Sequence, residues 1–428
     1  MDLKEGMKVT FTQSNSANKF LEIILFFSAL SIPFSYAFNS IAIGALFLCS
    51  FIWFEKSNYT SLLKNGFQVH VLFLIYFLIQ FFGVFYSDDV NLGFNYLIQN
   101  IVFLLVPITF INLSKVLNYK KVKLGIYGFA LGVLVIITSI YINIFVKMVS
   151  QQLDFKELLV HFVRENFVQE GLVHIHPPYF GLMVVFALVV VLKTTFHKNI
   201  LLNGVLKYFI SAYLIAALYG ISSFMSIILV VLLFLLYIFF LVVSKRWKVV
   251  VSIILPILLL LIIAGSFINT SLVNKFPGES LLGRIEWSFI KGKGDTSRPE
   301  NWRSVLVVVK DNPFIGVGTY GGLNYLQEQR SKTSESFINE HNAHNQYLET
   351  LLRHGIIGLI VFLLMIYCLS VKALKSRDII FCSFILVFTV SSITESYLMR
   401  QIGLTFFVFF ALLYGTFYNF GDPKKALE

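Results

Sequence analysis

The chain has 428 residues, of which 57% are hydrophobic and 13% charged, and its net charge is +11. A soluble globular protein carries about 25% charged residues, and the mean hydropathy here is +0.78, so a water-soluble domain is excluded and a lipid-embedded chain is expected. The three cysteines, Cys49, Cys368 and Cys382, all fall in apolar stretches and point to neither a disulfide framework nor a metal cluster.

An apolar run of about 20 residues is long enough to cross a hydrocarbon core of about 30 Å as a helix. In chain order such runs are expected near 20–35, 36–54, 67–86, 92–111 and 122–146. They continue near 175–194, 203–221, 222–243 and 249–268, and end with 344–370, 377–394 and 397–418. The fold class is therefore an all-α polytopic membrane protein with about twelve transmembrane helices. Two of the divisions are weak, Pro33 to Asn39 and Gly220 to Ser223, and the count depends on them. Polar residues 1–19 precede a first span that can serve as its own insertion signal, with no cleavable-signal pattern.

The short connectors alternate in charge. One set carries Lys56 and Lys64, then Lys115, Lys120, Lys121 and Lys123, then Lys193, Lys198 and Lys207, and later Lys372, Lys375 and Arg377. The opposite set holds Ser35 to Asn39, the acidic pair Asp88 and Asp89, the Gly220 turn and Thr394 to Ser396. Positive charge marks the cytoplasmic side, so both termini are expected inside and the count even. The excess of Lys and Arg is then topology, and no nucleic-acid partner is implied. This gives a cytoplasmic tail 1–19, five spans in 20–146, a periplasmic loop 147–174 and four spans in 175–268. A large extracytoplasmic loop subdomain 269–343, three spans in 344–418 and a cytoplasmic tail 419–428 complete it.

Loops longer than about 15 residues usually have a task. The second outer loop contains helical material from Glu300 to Val309 and a turn-rich segment Asp311-Asn312-Pro313-Phe314-Ile315-Gly316-Val317-Gly318. It runs into His341-Asn342-Ala343-His344-Asn345-Gln346-Tyr347-Leu348-Glu349, polar groups at the mouth of a span, where they are costly unless they have a function. If 341–348 is helical, His341, His344, Asn345 and Leu348 share one face. His344 then either acts as a base or merely caps the helix. Trp302 reads as a headgroup anchor. His174, His176, His341 and His344 do not have the spacing of a helical zinc site, and no metal or other cofactor is expected. The chain has no Gly-rich nucleotide-binding loop, which disfavours an ATP-driven pump.

Arg298-Pro299-Glu300-Asn301-Trp302, then Asn312-Pro313-Phe314-Ile315-Gly316-Val317-Gly318, then His344-Asn345-Gln346-Tyr347-Leu348 with Gly355 and Gly358, resemble the O-antigen ligase / Wzy-type polymerase superfamily. His176-Pro177-Pro178-Tyr179 and Glu395-Ser396-Tyr397-Leu398-Met399-Arg400-Gln401 are similar to Bacteroidetes-like members. The resemblance covers roughly 160–418; the earlier spans match in hydropathy only. It depends on the order and spacing of these motifs rather than on any one of them.

The resemblance implies a GT-C-like membrane glycosyltransferase of the inner membrane. It would move a glycan from an undecaprenyl-pyrophosphate carrier to an acceptor hydroxyl on the periplasmic face, by an inverting, metal-independent reaction. The acceptor would be lipid A-core or another glycan, and the bilayer itself would hold the polyprenyl chain. Histidine suits the base because it titrates near neutral pH. Arginine suits the pyrophosphate because it stays charged and grips phosphate in a fork. His344 is the implied base, Arg298, Arg164 and Arg353 the donor-pyrophosphate residues, and Asn345, His341, His176, Tyr179, Glu395 and Arg400 the acceptor or orienting groups. Two positions depart from the pattern: no basic residue follows Ser222-Ser223, and Arg353 stands where the family has Glu. The alternatives are a polymerase of the same superfamily and, from another class, a lipid-linked glycan flippase. Ionisable residues gathered at the outer ends favour the enzyme over a transporter.

Overall fold

The computed structural model describes residues 15–64, 69–152, 164–173, 175–221, 223–241 and 297–420. Among them every regular element is helical. Among the described residues six helices are long and apolar enough to cross a membrane: Tyr36–Trp53, Val90–Asn112, Tyr119–Ser150, Ile200–Ile221, Gln346–Ser376 and Gln401–Asn419. Val69–Val84, Pro177–Lys193, Met225–Leu235 and Ile379–Ser391 are shorter apolar helices. Together they make this a membrane protein. The expected run at 249–268 and the loop up to residue 296 lie outside the described residues.

Contacts divide the chain into two units, Met1–Val133 with Glu300–Ile385 and Ser392–Glu428, and Leu134–Pro299 with Leu386–Ser391. In the first, the helix Gln401–Phe420 is apolar on all sides and is correspondingly enclosed by protein. Phe406, Phe407, Phe409 and Phe410 are all buried. Their rings meet Phe129, Phe73 and Phe110 from three neighbouring helices. Ile41, Leu48, Ile98 and Tyr367 are instead exposed, as suits side chains facing lipid.

In the second unit, Pro177–Lys193 packs against Ile200–Ile221 and Phe224–Leu241. The division between those two holds at Ser223, whose carbonyl accepts the Ser226 amide. The approach is tight: a Cβ on Gly181 would lie 2.3 Å from the Ser226 hydroxyl.

The helix Gln346–Ser376 is two helices. Gly355 breaks it at φ 60°, ψ −163°, a region open essentially to glycine alone. The Pro313–Gly318 segment fills the break. On one side Val317 and Gly318 donate to the Leu352 and Arg353 carbonyls at 2.9 and 3.0 Å; on the other, Ile356 and Ile357 donate to the Pro313 and Phe314 carbonyls at 2.8 and 3.3 Å. Backbone groups freed inside a membrane helix must be satisfied by protein, and here the Pro313–Gly318 segment does so.

Candidate active site

The helix that carries the histidine motif starts later than expected. Asn345 is its N-cap, extended at φ −159°, and its side chain accepts from the Tyr347 and Leu348 amides at 3.0 and 3.1 Å. Residues 341–345 are therefore not helical, and the shared helix face of His341, His344 and Asn345 does not form. The cap belongs to Asn345, which leaves the His344 ring without that task.

His344 instead sits in a left-handed turn at φ 44°. A non-glycine residue there is uncommon and needs support. The Asn342 carboxamide accepts the His344 amide at 2.9 Å. On the residue before it, Ala343, Glu349 Oε2 accepts the amide at 3.0 Å and the Trp302 indole N–H donates to the carbonyl at 3.1 Å. Trp302 thus anchors the histidine turn. Val305 and Val308 of the helix Ser297–Asp311 pack with Ala343 and Leu352 in one small core. Trp302→Phe should lower stability by about 1–2 kcal/mol, because the Ala343 carbonyl loses its donor in a buried setting. Thermal unfolding of the purified protein checks it.

The turn 392–398 then brings a carboxylate to the ring. Gln346 donates its amide to the Ser392 carbonyl at 2.8 Å, and its side chain accepts the Leu398 amide at 2.7 Å. The Asn345 amide donates to the Ser396 hydroxyl at 3.2 Å. With the turn so fixed, His344 Nδ1 lies 3.3 and 3.4 Å from the two oxygens of Glu395. Glu395 is 6% exposed and His344 23%, so the carboxylate lies inside while the imidazole reaches the surface. A neutral His344 that donates Nδ1–H to Glu395 presents Nε2 as a proton acceptor, the arrangement in which a third group orients a base. The His341 ring stands edge-on to His344 at 5.0 Å.

Gln346, Glu349 and Arg353 line a small crevice of mixed character, together with Tyr76, Phe103 and Leu398. Glu349 and Arg353 form an ion pair there at 2.6 Å. Gln80 Nε2 and His354 Nδ1 are buried beside it without a hydrogen-bond partner. Further out, burial pushes the Arg330 guanidinium down from its ordinary value, while Glu300 and Glu349 hold it up. Glu349 was not among the residues singled out from the sequence, although its spacing of four from Arg353 is the signal of a helical ion pair.

The other expected residues divide by unit. Arg400 is exposed just before the last helix, in the same unit as His344. Arg298, Arg164, His176 and Tyr179 belong to the second unit. Arg298 lies in the first turn of Ser297–Asp311, and Arg164 opens the helix Arg164–Gln169. His176 occupies the N-cap position of Pro177–Lys193, ahead of its two prolines, and its side chain makes no cap hydrogen bond. Tyr179 is fully buried. Among the described residues no three His, Cys, Asp or Glu side chains converge.

Residues 209–363, which include His344, the break at Gly355 and the segment that fills it, match the O-antigen ligase family. The match covers little more than a third of the chain, and over that stretch the chain is similar to the O-antigen ligase family. A Haemophilus influenzae protein described as uncharacterized is 29% identical over 72 residues, 16% of this chain and 18% of its own length. The matched stretch thus spans less than a fifth of that relative.

Proposed function

We propose that this protein transfers a glycan from an undecaprenyl-pyrophosphate carrier to an acceptor hydroxyl at the periplasmic face of the inner membrane. The reading favours finished O-antigen as the glycan and lipid A-core as the acceptor. The His344–Glu395 pair, held at the mouth of a broken apolar helix, with His344 and the break at Gly355 inside the stretch similar to O-antigen ligases, supports it. Nε2 of His344 takes the acceptor hydroxyl proton as that oxygen bonds to the anomeric carbon. The bond from that carbon to the pyrophosphate oxygen breaks, and the pyrophosphate leaves with the bonding pair. Attack opposite the leaving group inverts the centre. Arginine suits the developing phosphate charge, the role expected from the sequence for Arg298 and Arg164. Asn345, His341 and Arg400, in the same unit as His344, are the groups assigned to acceptor or orientation.

A discontinuous helix is also a transporter feature, where freed backbone groups coordinate the cargo. Here the groups freed at Gly355 are taken by Val317, Gly318, Pro313 and Phe314, which favours the enzyme. A strain lacking the protein tests the reading through its glycans. Bare lipid A-core with full-length chains accumulating on the lipid carrier is expected. Lipid A-core bearing single repeats would make it a polymerase. Precursor trapped on the cytoplasmic leaflet would overturn transfer in favour of a flippase.

A further inference from the structure

We propose that Glu349 and Arg353 act as a positioning pair for His344, so that Arg353 serves the turn carrying the base and not the donor phosphates. The inference rests on the reading of His344 as the base.

The two oxygens of Glu349 face opposite ways. Oε2 takes the Ala343 amide at 3.0 Å, next to the left-handed residue, and Oε1 takes Arg353 Nε at 2.6 Å. Arg353 Nη1 continues to the Thr319 carbonyl. Thr319 is itself pinned to the helix Val69–Val84, its amide on the Gly83 carbonyl at 3.0 Å and its hydroxyl on the Gln80 carbonyl at 2.5 Å. One chain of polar contacts thus runs from the residue before His344 to the apolar helix Val69–Val84.

An arginine that grips phosphate offers two parallel N–H groups to its ligand. In Arg353 the Nε side is occupied by Glu349 and Nη1 by Thr319. The guanidinium carbon lies 4.7 Å from the centre of the Tyr96 ring, and the side chain is only 12% exposed. Glu349 stands one helical turn before Arg353, and the arginine is its partner. Glu placed four residues N-terminal to a cation is the favourable order in a helix.

Without the pair, the Ala343 peptide is held on its carbonyl side only, by Trp302. A displacement of about 1 Å at a reacting group can cost about 10²-fold in rate. The test is steady-state transfer by the full-length protein in lipid nanodiscs. An undecaprenyl-pyrophosphate oligosaccharide is the donor and lipid A-core the acceptor. Donor binding is measured separately with a fluorescent analogue. Glu349→Gln and Arg353→Gln should each lower kcat by about 10- to 10²-fold with donor KM and binding within about twofold. The double variant should be no worse than the poorer single, since the pair acts as one unit.

Loss of donor binding in Arg353→Gln overturns the proposal in favour of a phosphate contact, and losses that multiply in the double variant overturn the pairing. Unchanged kcat in both single variants overturns it too. If Arg353→Gln does not fold, Arg353→Lys, which keeps the charge, is read by the same KM-against-kcat split. His344→Ala in the same assay separates the two claims. Full activity there refutes the base itself. Inactivity there, with both pair variants fully active, refutes only the positioning role.

Discussion

His344→Ala is expected to lower glycan transfer by about 10²- to 10⁴-fold, the range a positioned general base contributes. Lipid-linked precursor should still reach the outer leaflet, and the protein should remain folded in the membrane. The imidazole is partly exposed, and the helix cap is made by Asn345, so the fold does not depend on the ring. His344→Gln should be as inactive, because an amide can neither take the acceptor proton nor hold it. Glu395→Gln discriminates further. It retains a hydrogen-bonding partner for Nδ1 but removes the negative charge facing the ring as that ring gains a proton. Its kcat should fall with donor KM little changed, as expected when an interaction is strongest in the transition state. The measurement is single-turnover transfer of labelled lipid-linked oligosaccharide to lipid A-core. Undiminished turnover in His344→Ala would remove the base from this mechanism.

What the sequence made legible was what is local. Apolar length is carried by neighbouring residues, so each expected run that falls on described residues is helical, with ends shifted by only a few positions. The start of the Gln346 helix was legible too, since asparagine is among the best N-caps, but a periodic reading of His341, His344 and Leu348 extended the helix through it. The left-handed turn at His344 left no such trace, because histidine carries no signal for it. The meeting of His344 with Glu395, 51 residues away, depends on Gln346 and Asn345 binding the turn 392–398. Both partners were singled out by resemblance, but no spacing could join them. Glu349 was the reverse case. Its spacing from Arg353 was visible, yet the structural value of that pair depends on Ala343 and Thr319, which only the fold brings near.

Gly355→Ala is expected to destabilise the protein by at least about 3 kcal/mol and to abolish transfer, although the residue touches no substrate. Two costs add. Alanine at φ 60°, ψ −163° lies in a region that L side chains hardly populate. Its Cβ would also fall 2.3 Å from the Phe314 carbonyl carbon and oxygen and 2.5 Å from the Ile315 amide nitrogen, all backbone that no rotamer can move. Relief requires either straightening the helix or expelling the Pro313–Gly318 segment. Expulsion would leave the Leu352 and Arg353 carbonyls and the Ile356 and Ile357 amides without partners in a lipid-excluded interior, a heavy cost. Straightening would move Gln346–His354, and with it Glu349, Asn345 and the histidine turn. Gly316→Ala, whose Cβ would lie 2.5 Å from the Leu352 carbonyl oxygen, should act through the same joint. Gly44→Ala is the control: it lies in a regular helix with no atom within 4 Å of the added Cβ, and it should be neutral or slightly stabilising. Thermal unfolding in nanodiscs separates these outcomes. A Gly355→Ala protein as stable as Gly44→Ala would show that the break does not hold the Pro313–Gly318 segment to the helix.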